Sequence, residues 1–330
     1  MLARKIYPTC AASFRKWYLS DAIFYKKYYE LGQPIPFDVT LRDGLQALSK
    51  EEQNTFTTDK KIEMYKDIIL KYNPKNIEIG SIVSEKVLPI FKDTIPFFEI
   101  VNNLQNTNVN VNVNKVLSQN NFVLVPNKEK LNTIINDSYI NYFSFITSAS
   151  NSFQLKNTKK TLEECDEEIY EMMYQLDENT FRMQKPIVKL YISCINDCPI
   201  EGKIDNDYIV NRIMMLSKTG VDNICLSDTC GTLSLEDFEY IAESCLFFGL
   251  ASSKLSLHLH VKEERKTEIK RIIHKALDLK INQFDVSMLK TGGCSVTMKK
   301  EQMAPNLSYE LYYESISKYI EKNCGFDCIL

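Results

Sequence analysis

Residues 255–260 read Leu255-Ser256-Leu257-His258-Leu259-His260, a strict alternation of leucine with a polar side chain. Side chains on a β-strand alternate between its faces, so the three leucines share one face and Ser256, His258 and His260 share the other. The leucines suit packing against an outer layer of helices. The polar face suits the inside of a barrel, with the histidines at its C-terminal mouth, where such folds carry their chemistry.

Working outward, the chain from residue 36 alternates short apolar runs with longer helical patterns. Strands are expected at 36–41, 76–80, 122–126, 142–148, 188–194, 223–228, 255–260 and 283–289. Amphipathic segments fill most of the gaps, those at 163–176, 235–248 and 263–278 most clearly. Repeated strand–helix units predict a parallel sheet with helices outside it. Eight of them without a break in composition favour a closed (β/α)8 barrel over an open sheet. The Asn-rich stretch 102–121 is expected to be a surface loop or a lengthened connection within the barrel. The division is an N-terminal extension, 1–35, with a basic helix over 11–29, and a catalytic barrel, 36–330.

The chain has 330 residues, 44% of them apolar and 25% charged, with a formal net charge of −3. That balance suits a globular protein with a sizeable core and gives no electrostatic case for nucleic acid or an anionic membrane. No apolar stretch reaches the ~18 residues needed to cross a bilayer. Ten cysteines are scattered along the chain, and no pair of pairs has the spacing of a structural zinc site. Reduced thiols in a cytoplasmic compartment are expected. The acid-poor start, with Arg4, Lys5, Arg15 and Lys16, leaves organellar targeting as the alternative.

Imidazoles at i and i+2 on one strand can both reach one metal ion, or else hydrogen-bond locally. The chain has three histidines, and two stand in this pair; His274, in a helical pattern, reads as structural. The first strand runs into Asp38-Val39-Thr40-Leu41-Arg42-Asp43-Gly44-Leu45-Gln46, in which Asp38, Thr40 and Arg42 are expected to share a face. Asp43 at its end offers an oxygen ligand and Arg42 a fixed guanidinium for an oxyanion; the alternative is a buried pair holding the barrel together. Glu78 lies between Ile77 and Ile79, and Asp228 ends its strand before Thr229-Cys230-Gly231. Carboxylates inside a barrel need partners, and Arg42 is the available cation. After the last strand Gly292-Gly293 precedes Cys294, which reads as a hinge in a mobile loop over the mouth.

Asp-x-Thr-Leu-Arg-Asp-Gly-x-Gln followed much later by His-x-His resembles the DRE-TIM metallolyase superfamily. Residues 189–204 (KLYISCINDCPIEGKI), the Gly-Gly-Cys at 292–294 and Asn306-Leu307 resemble its 3-hydroxy-3-methylglutaryl-CoA lyase branch. The resemblance implies a divalent cation, Mg2+ or Mn2+, held by Asp43, His258, His260 and Asn306. It further implies an acyl-CoA substrate, cleaved by a retro-Claisen reaction to acetoacetate and acetyl-CoA, and a homodimer. Arg42 would then stabilise the enolate oxygen, Glu78 orient Arg42, and Gln46 and Tyr191 line the pocket with it. Asp228 or one of the histidines would take the hydroxyl proton, and Cys294 would take part in proton transfer to the enolate carbon. The chain departs from that branch in Val261-Lys262-Glu263-Glu264 after His260, in Ser295-Val296-Thr297 after Cys294, and in Lys189 where an Arg is common.

Two other readings stand beside this one. A Claisen-condensing synthase of the same superfamily is disfavoured by the Gly-Gly-Cys loop and the chain length. A non-catalytic barrel kept as a binding protein is disfavoured by the intact Arg42, Asp43, His258, His260 and Cys294.

Overall fold

The structure, a computed structural model, describes residues 34–107, 119–137, 139–179, 184–293, 298 and 302–323. The basic helix expected over 11–29 and Cys294 lie outside the described residues. Eight strands close into a barrel: β1 (Ile35–Asp38), β2 (Asn76–Ser81), β3 (Asn120–Leu124), β4 (Tyr142–Ser148), β5 (Ile187–Ser193), β6 (Asn223–Asp228), β7 (Leu255–Leu259) and β8 (Gln283–Val286). Each strand pairs in parallel with the next, and β8 returns to β1 through Ile35↔Gln283 and Asp38↔Val286. This is the (β/α)8 architecture that the repeated units predict.

The outer helices follow from sequence periodicity. Helix Lys266–Asp278 buries Ile269, Ile272, Ile273, Ala276 and Leu277, the i, i+3, i+4, i+7, i+8 stripe of a helix lying on a sheet. Helix Leu162–Asp177 starts at a capping box: Thr161 accepts the Glu164 N–H, and the Glu164 carboxylate accepts the Thr161 N–H. Leu255, Leu257 and Leu259 are fully buried in the same apolar cluster as these helices. Among the described residues no helix is long and apolar enough to cross a membrane.

Two expectations need correction. The first strand stops at Asp38, and Thr40–Gly44 forms a turn of π-helix, so Asp38, Thr40 and Arg42 do not share a strand face. The Asp38 carboxylate accepts the Thr40 N–H at 2.9 Å, the Thr40 hydroxyl at 3.0 Å and the Tyr309 hydroxyl at 2.8 Å. Such local bonds compete with the strand ladder, and π-turns recur where side chains must be re-aimed at a site. The Asn-rich stretch is not all loop either. Helix Thr94–Thr107 continues into it, carried by buried Phe97, Phe98 and Val101, and β3 begins at Asn120. Residues 108–118 lie outside the described residues.

Candidate active site

At the C-terminal mouth, Asp43, His258 and His260 offer ligand atoms that all lie within 4.8 Å of one another, and all three residues are buried. Each comes from a different local device. The π-turn turns Asp43 inward after β1. The β7 alternation aims His258, and His260 sits one residue past the strand, bridged to Asn306. The chain at 305–307 runs beside this end of β7 through Val261 N–H to Pro305 O (2.7 Å) and Leu307 N–H to Leu259 O (3.0 Å). That pairing delivers Asn306, whose Nδ2 donates to Asp43 Oδ2 at 3.0 Å and to Thr291 O at 3.1 Å.

Neighbours fix the histidine tautomers. His258 Nδ1 lies 3.0 Å from Asp285 Oδ2, and His260 Nδ1 lies 2.9 Å from the Asp228 carbonyl oxygen. Both acceptors lack a proton to give, so both Nδ1 atoms carry hydrogen and both Nε2 atoms face Asp43, at 3.9 and 3.7 Å from Oδ2. Burial alone would raise the Asp43 pKa, but Arg42 and the two histidines hold it well below the usual carboxylate range.

Whether these residues suit a cation is tested by what they lack. His260 Nε2 and Asn306 Oδ1 are buried without a hydrogen-bond partner among the described residues, and both stand beside an ionised Asp43. Buried polar atoms are ordinarily paired, so two orphans on residues that both adjoin Asp43 point to a missing electrophile. A carboxylate, an amide oxygen and two imidazoles are a donor set that Mg2+ or Mn2+ accepts.

Arg42 joins this cluster to the barrel interior. Its Nη1 donates to Asp43 Oδ1 at 2.6 Å and its Nε donates to Glu78 Oε2. The Tyr191 hydroxyl donates to the same Glu78 oxygen at 3.2 Å, and the guanidinium carbon lies 5.0 Å from the Tyr191 ring centre. Burial opposes the charge on Arg42, and Glu78 and Asp43 more than restore it. Arg42, Asp43, Gln46, Tyr191, His258 and His260 line one cavity of about 150 Å3, with Val83, Leu88, Leu124, Ile146 and Phe153 on its apolar wall.

Gly292 and Gly293 do more than hinge a loop. A Cβ on Gly292 would stand 2.8 Å from three atoms of Asn306. Gly293, at φ +97°, donates its N–H to Asp43 Oδ2 at 3.1 Å. The two oxygens of Asp228, expected as a proton acceptor, accept the Thr232 and Leu233 amides at 3.0 and 3.2 Å, and burial raises its pKa above the ordinary value. Those bonds hold this loop, and the Asp228 carbonyl oxygen accepts from His260 Nδ1. Arg265, just past the altered segment after His260, donates to the Gly231 and Leu233 carbonyls and braces the same loop. His274 stands in its helix with Nε2 2.9 Å from the Ser315 carbonyl oxygen.

With this geometry established, comparison places the chain among known proteins. No family model matches it. Mitochondrial hydroxymethylglutaryl-CoA lyase of Arabidopsis thaliana is 25% identical over 257 residues, 78% of this chain and 49% of that one. Hydroxymethylglutaryl-CoA lyase YngG of Bacillus subtilis is 25% identical over 266 residues, 79% of this chain and 80% of its own length. The chain is similar to hydroxymethylglutaryl-CoA lyases. The aligned part thus spans about half of the plant lyase and four fifths of the bacterial one. In fold, the Pseudomonas aeruginosa lyase superposes with a TM-score of 0.68 at 19% identity, covering 88% of this chain and 92% of that one. An Acinetobacter baumannii lyase in complex with coenzyme A and 3-methylmalate gives 0.66 at 22%, covering 88% and 83%.

Two functional side chains escaped the sequence reading as members of the site: Asp285, behind His258, and Lys189, whose ammonium donates to Asp285. Both carried the signal that marked Glu78, a charge between apolar neighbours inside a buried strand: Phe284 and Val286 flank one, Val188 and Leu190 the other. For Asp285, burial pushes the pKa up, and Lys189 and His258 bring it below the ordinary value.

Proposed function

We propose that the chain is a divalent-cation-dependent carbon–carbon lyase that cleaves a 3-hydroxy-3-methylglutaryl thioester of coenzyme A to acetoacetate and acetyl-CoA. The observation that carries this reading is the buried convergence of Asp43, His258 and His260, with Asn306 bonded to Asp43 and two unpartnered ligand atoms, against an Arg42 clamped by Glu78. The similarity to lyases of that activity supports the substrate class.

Asp43, His258, His260 and Asn306 would hold the cation. Once bound, it supplies a Lewis acid that favours ionisation of the substrate's tertiary hydroxyl and a template that orients its oxygens. The reaction breaks the bond between C2 and C3. The hydroxyl carbon becomes the ketone of acetoacetate, and the bonding electrons pass to C2 as the enolate of acetyl-CoA. Arg42 keeps N–H donors beyond those given to Glu78 and Asp43 and places them in the cavity, where they stabilise the enolate oxygen. Glu78 and Tyr191 hold the guanidinium in that position, and Gln46 and Tyr191 line the acyl cavity. Each Asp228 oxygen accepts one amide and keeps a further lone pair, and burial raises its pKa, so Asp228 is the acceptor assigned to the hydroxyl proton. Cys294 follows Gly293, whose N–H is fixed on Asp43, and its thiol is the donor assigned to the enolate carbon.

The test is acetyl-CoA release from 3-hydroxy-3-methylglutaryl-CoA by metal-stripped protein, with and without Mg2+ or Mn2+. Release that depends on the added ion is the expected result. Folded protein that binds Mn2+ yet releases no acetyl-CoA would remove this substrate from consideration.

A further inference from the structure

Beneath the cation site a buried chain of side chains runs from His258 to Asp285 and Lys189, and the reaction just described gives the last two no role. The Lys189 ammonium, on β5, donates to Asp285 Oδ1 on β8, and Asp285 Oδ2 accepts His258 Nδ1–H on β7 at 3.0 Å. All three are closed off from solvent, with Lys189 at 3%, Asp285 at 1% and His258 at 4% exposure. The ammonium sits over two aromatic faces, 3.6 Å from the Phe37 ring centre and 4.7 Å from that of Tyr191. Its only ion-pair partner among the described residues is Asp285.

We infer that Lys189 is a positioning residue, which acts through Asp285 to lock the ring of His258 in the tautomer and orientation that leave Nε2 available to a cation. The inference rests on the proposed function for the presence of that cation. A carboxylate has two oxygens and can rotate between partners. With Lys189 anchoring Oδ1, Oδ2 is left for the imidazole; its other neighbour is the weak Cys225 thiol at 3.8 Å. Removing the anchor would free the carboxylate to turn toward other donors and release the Nδ1–H that now decides which nitrogen is bare. Any buried ammonium needs a counter-ion; particular to this one is that the second oxygen of its counter-ion holds a histidine of the cation site. Phe37 and Tyr191 form an ammonium seat, so the charge is stationed here rather than trapped.

Carboxylates behind a metal-binding histidine typically matter by about 10- to 100-fold in metal affinity. Mn2+ titration of metal-stripped protein, read by electron paramagnetic resonance, is therefore run on the wild type, Lys189→Met, Lys189→Arg and Asp285→Asn, with circular dichroism for folding. Lys189→Met and Asp285→Asn are expected to bind Mn2+ about 10- to 100-fold more weakly, and Lys189→Arg, which keeps the charge, to retain most of the affinity. Folded Lys189→Met with wild-type affinity overturns the inference while leaving the proposed function intact. Wild-type protein without Mn2+ affinity overturns both. Should Lys189→Met not fold, Asp285→Asn carries the same comparison. Long-range 1H–15N correlation on the wild type gives an independent reading, in which the metal-free His258 ring must be wholly the Nδ1–H tautomer. A mixture of tautomers there sinks the inference whatever the variants do.

Discussion

Consider alanine at position 292. Its Cβ would lie 2.8 Å from Cγ, Nδ2 and the backbone N of Asn306. Relaxed contacts of carbon with heavy atoms settle near ~3.5–4.0 Å, so the two segments must part by roughly 0.7 Å or more. Little here can yield cheaply, because the Asn306 N–H is bonded to Thr291 O at 3.2 Å, and Nδ2 to Asp43 at 3.0 Å and Thr291 at 3.1 Å. A displacement of that size takes the Asp43 contact past the ~3.2 Å limit of a good N–H···O bond. Overpacking of this kind costs roughly 1–3 kcal/mol, and Tm falls by about 2–4 °C per kcal/mol in a large domain. A misplacement near 1 Å at a reacting centre costs on the order of 100-fold in rate. Gly292→Ala is therefore expected to stay folded, lose several degrees of Tm, bind Mn2+ at least tenfold more weakly and lose about 100-fold in kcat/KM. Differential scanning calorimetry, Mn2+ titration and the acetyl-CoA assay read these three. Wild-type values in all three would refute the idea that this glycine exists to seat Asn306 against Asp43.

Arg42→Gln removes the guanidinium held by Glu78, and kcat is expected to fall by about 100- to 1,000-fold with a smaller change in KM; steady-state kinetics with unchanged kcat would take Arg42 out of the enolate's stabilisation. Stripping the cation should lower Tm, and adding Mn2+ at about 100 times its Kd should restore roughly 2.7 kcal/mol of stability; a Tm indifferent to Mn2+ would deny a site formed only in the folded chain. His274 gives a pH dependence unconnected with the site. Burial is the main cause that holds its pKa below the usual value, against a hydrogen bond to the Ser315 carbonyl. The unfolded chain therefore takes up that proton first, and this contribution is complete above about pH 6.5 and lost as pH falls toward the folded value. The Tm advantage of wild type over His274→Gln should shrink from pH 7.5 to pH 5.5, and a constant difference across that range would contradict it.

The barrel was legible because its signals are local. Period-two alternation in Leu255–Leu259 and the helical stripe of Lys266–Asp278 depend on residues a few positions apart, and both survive folding unchanged. Tyr142–Ser148 and Asn223–Asp228 begin and end where the sequence places them. The first strand does not, because the three hydrogen bonds to the Asp38 carboxylate include one from Tyr309, far along the chain, and no local pattern announces that partner. The same division runs through the site. Arg42, Asp43, Glu78, His258 and His260 stand out as polar residues on strands that are otherwise apolar or at their ends. Asp228 stood out in the same way, and only the structure shows the loop that turns back onto its oxygens.

By itself the sequence determined the eight strand–helix units, the inward face of the histidine strand and the residue types gathered at one end of the barrel. Those follow from the period of a strand, the period of a helix and the cost of burying unpaired charge. The tertiary structure decided which polar atoms meet. It alone set Asn306 beside His260, gave Gly292 its close approach, turned Asp228 toward backbone amides and placed Lys189 behind Asp285 and His258. Apart from the amides on Asp228, four and five residues on, these contacts join residues 14 to 96 positions apart. Their geometry comes from closure of the barrel, which brings β5 to face the adjacent pair β7 and β8 across its interior.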